Sequence, residues 1–192
     1  MNGLDALKET IDHVDILVNN FGKPASSSWD SIDNWALEWE QNVLLGVKVT
    51  QLLVDGMKAK EWGRVIFVGT VGVDRPRNHS PGYYGAKASL HAIVRTLAMD
   101  LRGTGVTANM FNPGMIATAE VKEMLTNAAG KRSLSTDWES VESWASTEYF
   151  PNLTSRIATP EDIGKVVSFL ASEQAWYING ASIAVDGGSV DA

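Results

Sequence analysis

The sequence predicts an α/β domain: a parallel sheet with flanking helices, about four strands of which are present. Three observations predict it. Four short apolar runs, such as Ile16-Leu17-Val18 and Val65-Ile66-Phe67-Val68, are continuous rather than alternating, as in strands buried on both faces. Longer segments with helical spacing separate them, which is the order of a sheet covered by helices. Finally, Asn20, Thr70 and Asn112-Pro113-Gly114 sit where strands end. Ligands of parallel sheets bind beyond the carboxyl ends of the strands, so these positions are expected to share one site.

Taken in order, Leu4, Leu7, Ile11 and Val14 are spaced for a short amphipathic helix over 3–14. Asp15 to Asn20 is the first strand, and 21–30 is a Gly/Pro/Ser-rich loop. Residues 31–62 read as helix with one break near Asn42 to Gly46; Trp35 and Trp39, one turn apart, are assigned to core packing. Arg64 to Thr70 is the second strand. Ser80 as N-cap and Pro81 at the first helical position start a helix that runs to about Arg102, with Ile93, Leu97 and Leu101 on one face. Gly105 to Asn112 forms the third strand. Residues 115–158 are polar but contain Trp138, Trp144, Tyr149 and Phe150. Two readings stand for them: a lid over the site, or a peripheral helical pair that packs its aromatics inward. Thr159-Pro160-Glu161-Asp162 is a strong helix start, followed by the apolar stripe Ile163, Val166, Val167 and Leu170. Ala181 to Val185 is the last strand.

With 192 residues, the chain is read as one domain spanning 1–192. Its formal charge of −7, with no Lys/Arg cluster, argues against a nucleic-acid partner. No apolar run approaches the ~20 residues of a membrane helix. The absence of cysteine removes disulfides, thiolate catalysis and zinc-thiolate sites. His13, His79 and His91 are scattered, so no metal site is expected. Met1-Asn2-Gly3-Leu4-Asp5 has no signal-peptide pattern, and the protein is expected to be cytoplasmic.

Chemistry points to Tyr83 and Lys87. Four residues apart at a helix start, phenol and ammonium share a face. The ammonium and the helix N-terminus would both favour phenolate, lowering the Tyr83 pKa toward neutrality. Alone, the spacing is weak, arising by chance in roughly one chain of this size in three. Its neighbours give it weight. Asn19-Asn20-Phe21-Gly22, Asn42, Thr70 thirteen residues before Tyr83, the Tyr83/Lys87 pair, Asn112-Pro113-Gly114-Met115-Ile116-Ala117-Thr118 and Asp186-Gly187-Gly188 follow in order.

With these motifs the chain resembles the short-chain dehydrogenase/reductase family, and in particular its 3-oxoacyl-reductase-like members. These are nicotinamide-dependent oxidoreductases with a Rossmann-type sheet. The resemblance implies catalytic roles for Tyr83, Lys87, Thr70 and Asn42. It implies NAD or NADP binding by Asn20, Gly22, Tyr83, Lys87, Pro113, Gly114, Ile116 and Thr118. Tyr83 would exchange a proton with a small-molecule carbonyl or alcohol, Thr70 would hold its oxygen, Lys87 would hold the cofactor ribose, and Asn42 would pass protons to solvent. Helices 31–62 and 83–102 would build the interface of a homo-oligomer, a dimer or tetramer. Thr70 stands where the family has serine, and Phe21 where it has a small alanine, so a ring is expected to intrude near the cofactor path.

The resemblance spans the whole chain but only the later part of the family's domain. The glycine-rich pyrophosphate turn and three strands would lie upstream of residue 1, a difference of more than ~60 residues at ~30 per unit. The sheet is therefore read as an N-terminally truncated Rossmann-like one, with Ile16 to Val18 as an open apolar edge. Such a chain is a piece of a longer protein, or it covers that edge with a partner. The leading function is NAD(P)-dependent interconversion of a carbonyl and an alcohol. The alternative is a non-catalytic relic or interaction subunit.

Overall fold

Strands β1 (Ile16–Asn19), β2 (Gly63–Val68), β3 (Val106–Pro113) and β4 (Ser182–Val185) pair in chain order, every pair parallel. The computed structural model describes residues 10–11, 13–24, 27–190 and 192; the helix expected over 3–14 falls mostly outside them. All four expected strands are present within a residue or two of their expected ends. The inner strands β2 and β3 are buried along almost their whole length, as continuous apolar runs require. The outer strands depart from the two-sided burial that their apolar runs predict: in β1, the strand expected to be an open edge, Ile16 and Val18 are 43% and 37% exposed, alternating with half-buried neighbours. The reason is position. Among the described residues β1 pairs with β2 alone, so it forms the sheet's edge.

Helix α1 (Ile32–Trp39) passes through a π-helical turn (Glu40–Leu44) into α2 (Leu45–Ala59). That turn is the break expected near Asn42. Helices α2 and α3 (Pro81–Asp100) cover one sheet face, where Val54, Met57, Leu90 and Val94 meet Val65, Phe67, Ala108 and Met110. On the other face lies α6 (Pro160–Ala171), whose Ile163 and Leu170 pack on Ile66 and Phe111. Helix α6 begins with the expected capping box, Thr159 and Asp162 each accepting from the other's backbone N–H. The result is a three-layer, Rossmann-like α/β domain.

One expectation about the core fails. Trp39 is 42% exposed and Trp35 half-buried, its ring 5.1 Å from that of exposed Trp29. Helix α1 turns a different face inward, the one carrying Glu38 and, in the following turn, Asn42 and Val43.

Residues 115–158 leave and rejoin the domain at Ile116 and Ala158, which pair as a single parallel bridge. Between them α4 (Ala119–Gly130) and α5 (Trp138–Trp144) enclose a small core of Leu125, Ala129, Val141, Ala145 and Ile157. Trp138, Trp144 and Tyr149 pack against that core, as the helical-pair reading expects. Residues 149–158 also wall the cavity described next. No described helix is long and apolar enough to cross a membrane.

Candidate active site

The ends of β2 and β3, the start of α3 and the chain around 149–158 enclose a cavity of about 900 Å³. Thr70, Tyr83, Pro113 and Gly114 line it together. Thr70 follows β2 in extended conformation, and its Oγ1 accepts the Gly72 N–H at 3.1 Å to start a short 3₁₀ turn. Tyr83 is half-buried in the first turn of α3, its ring packed edge-on against Tyr84 with centroids 5.6 Å apart.

The start of α3 departs from expectation. Pro81 takes the first helical position, but Ser80 makes no side-chain cap and adopts a left-handed φ of 56°. A distant residue caps instead: Ser27 Oγ, buried, accepts the Gly82 N–H at 3.0 Å. Glycine suits position 82, since a Cβ there would stand 3.0 Å from Ser27 Oγ and 3.3 Å from the Trp35 backbone.

One turn on, Lys87 is buried, and its Nζ donates to the Val68 carbonyl at 2.8 Å. Burial pulls its pKa down to about 8. The Tyr83 phenol behaves opposite to expectation. Burial raises its pKa, the Thr70 side chain within hydrogen-bonding reach works against that, and Tyr84 and Glu38 add to the rise. Lys87 is not among the groups that shift it, and its ammonium bonds the Val68 carbonyl.

Behind Lys87 the π-helical turn presents buried Asn42. Its Nδ2 donates to the Glu38 carbonyl (3.0 Å), the Glu38 carboxylate (3.0 Å) and the Lys23 carbonyl (3.3 Å). Three acceptors on one side fix the amide's orientation. Its Oδ1 therefore faces the other way and is buried without a partner among the described residues. Gly22 makes this possible: at φ 148°, a Cβ on it would lie 2.5 Å from Asn42 Oδ1 and 3.0 Å from Lys87 Nζ. The amide oxygen and the ammonium thus border one small space.

The remaining expected residues lie outside the cavity wall. Asn20 is exposed, its N–H turned to Val18 O. Ile116 joins the apolar cluster under α6, and Thr118 caps α4 by accepting the Val121 N–H at 3.3 Å. Phe21 is exposed and does not reach the cavity. Glu38, wholly buried, escaped the sequence reading; its position one turn before Asn42 was the available signal. Ser27 left no local signal, being 55 residues from the N–H it caps. Among the described residues no cluster of His, Asp and Glu could hold a metal ion.

Residues 2–190 match a family described as enoyl-(acyl carrier protein) reductase. An uncharacterized oxidoreductase of Bacillus subtilis, YvaG, is 34% identical over 98% of this chain and 72% of its own length. The 3-oxoacyl-[acyl-carrier-protein] reductase MabA of Mycobacterium tuberculosis is 32% identical over 95% of this chain and 68% of its own. Among solved structures, L-sorbose reductase from Gluconobacter frateurii, complexed with NADPH and L-sorbose, superposes with a TM-score of 0.84. That match has 27% identity and covers 98% of this chain and 71% of the other. The chain belongs to the short-chain dehydrogenase/reductase family and is an oxidoreductase by that kinship.

Proposed function

We propose that the chain reduces a ketone or aldehyde to an alcohol with NADH or NADPH, Tyr83 supplying the proton. The observation that carries this reading is Tyr83 itself, held at the cavity beside the Thr70 hydroxyl with its phenol kept protonated by burial. A raised pKa keeps the phenol protonated near neutrality, the state a proton donor to a carbonyl oxygen needs.

The residues present fit a nicotinamide dinucleotide at its ribose end. Among the described residues the Lys87 ammonium, with three donors, bonds Val68 O alone, and Asn42 Oδ1, unpartnered there, borders the same space as Lys87 Nζ. A ribose diol needs that mixture of donors and acceptor. When bound, the reduced nicotinamide supplies the hydride to the carbonyl carbon. Thr70 donates a hydrogen bond to the carbonyl oxygen and Tyr83 gives that oxygen its proton. The phenolate left behind recovers its proton from solvent. Lys87 and Asn42, which border one space beside Gly22, are assigned by the family resemblance to the return of that proton. Pro113, Gly114, Ile116, Thr118 and Asn20 are assigned to the cofactor's boundary by the family resemblance.

The non-catalytic alternative is the weaker reading, since the site's polar groups are arranged for proton transfer and the relatives bear reductase names. The test is ketone-dependent consumption of NADH or NADPH by the purified chain, with Tyr83→Phe as control. A folded chain that consumes neither cofactor with any ketone or aldehyde refutes the proposal.

A further inference from the structure

Three arginines stand on the walls of the Tyr83 cavity: Arg75, Arg77 and Arg156. The chain as a whole has a formal net charge of −7, yet this lining holds two carboxylates, Asp162 and Asp186, against three guanidiniums. Both carboxylates are committed locally. Asp162 accepts from the Thr159 N–H (3.1 Å), the Thr159 hydroxyl (2.8 Å) and Lys165 (2.9 Å). Asp186 accepts from the N–H groups of Gly188 (3.1 Å) and Val190 (3.2 Å) and from the Ser189 hydroxyl (2.8 Å). Arg75 is committed too, donating to the Ser189 carbonyl.

Arg77 and Arg156 differ. Both are exposed, and among the described residues neither guanidinium makes an ion pair or a hydrogen bond; Arg156 bonds Asn152 through its backbone alone. The Arg77 guanidinium lies over the Phe150 ring, 4.5 Å from its centroid. Such a contact holds the cation by its charge and leaves its N–H donors for a ligand. The ring beneath is itself braced. Phe150 meets Tyr149 edge-on at 4.9 Å, Tyr149 stacks on Trp144 at 4.9 Å, and Arg132 sits over both Tyr149 and Trp144. One cavity wall is therefore an aromatic stack that ends in an uncommitted cation.

We propose that the substrate carries an anionic group, a carboxylate or a phosphate, which Arg77 and Arg156 bind while its carbonyl reaches Tyr83. This rests on the reading of the cavity as a carbonyl-reduction site. Guanidiniums match either anion bidentately, and a locally positive mouth on a negative protein focuses anions there. A neutral ketone would use neither cation.

The test compares binding of levulinate, 4-oxopentyl phosphate and methyl levulinate by calorimetry, to the native chain and to an Arg77→Met, Arg156→Met double variant. Both side chains are exposed, so the variant is expected to fold. At least one charged ketone should bind about tenfold or more tighter than the ester, and the double variant should erase that advantage. Whichever charged probe binds tighter names the anion. Equal binding of ester and acids, or an advantage that survives in the variant, overturns the proposal. Anion binding without turnover of any probe supports the site while refuting carbonyl reduction. Turnover of the ester with the same kcat/KM as the charged ketones does the reverse.

Discussion

The two sides of the cavity are built on opposite principles. On the sheet side, Tyr83, Lys87, Asn42 and Glu38 are half-buried or buried, and the Lys87 ammonium, the Asn42 amide nitrogen and the Glu38 carboxylate are held by hydrogen bonds. On the 149–158 side, Arg77 and Arg156 are exposed, and Arg77 rests on an aromatic ring. The difference follows from what each side has to do. Proton transfer needs heavy atoms within ~3 Å and fixed pKa values, which only a packed interior supplies. Attraction between charges falls off slowly with distance, so recognition of an anion tolerates mobile side chains on a loop. Substitutions on the two sides should therefore fail differently.

Tyr83→Phe should have the largest effect, lowering kcat by ~10²–10⁴ for charged and neutral ketones alike, as steady-state rates would show. A drop confined to charged ketones would erase the distinction between the sides. Arg77→Met with Arg156→Met should raise KM for a charged ketone about tenfold and leave kcat nearly unchanged. A kcat loss of the same size would place the arginines in the chemistry.

Glu38 sharpens the comparison from within the buried side. Glu38→Ala should cost about tenfold in kcat by freeing the Asn42 amide. Glu38→Gln keeps an acceptor for Asn42 and removes the charge that helps raise the Tyr83 pKa. The phenol then ionises at lower pH, and the alkaline limb of the reduction profile should move to lower pH. A role in packing alone would leave that limb in place. The smallest effect is expected from Ser27→Ala, which removes the cap from α3. It should cost about 1 kcal/mol, a fall of roughly 2–4 °C in Tm. An unchanged Tm would mean the loop contributes nothing to placing Tyr83.

Much of the buried side was legible in the sequence. The apolar runs gave the four strands, and the break at Asn42 appears as the π-helical turn that presents its amide. Helical spacing drew attention to Tyr83 and Lys87, and the ordered motifs around them gave that spacing weight. What spacing does not encode is burial at a particular site. The same adjacency that suggested a lowered tyrosine pKa gave the wrong direction, because desolvation by burial is the largest influence on the phenol and outweighs the Thr70 side chain. Ser80 looked like the cap of α3, but the loop brings in Ser27 to do it. Trp35 and Trp39 looked like core residues, but α1 buries Glu38 instead. The arginine wall was invisible for the same reason: Arg77 and Phe150 are 73 residues apart and meet only in the fold.

The most direct measurement is a titration of the folded chain with NADH and NADPH, followed by nicotinamide fluorescence, in parallel with Lys87→Met. The account predicts micromolar binding with enhanced emission, weakened about tenfold or more by Lys87→Met. No binding up to millimolar cofactor, or binding that Lys87→Met leaves untouched, would contradict it.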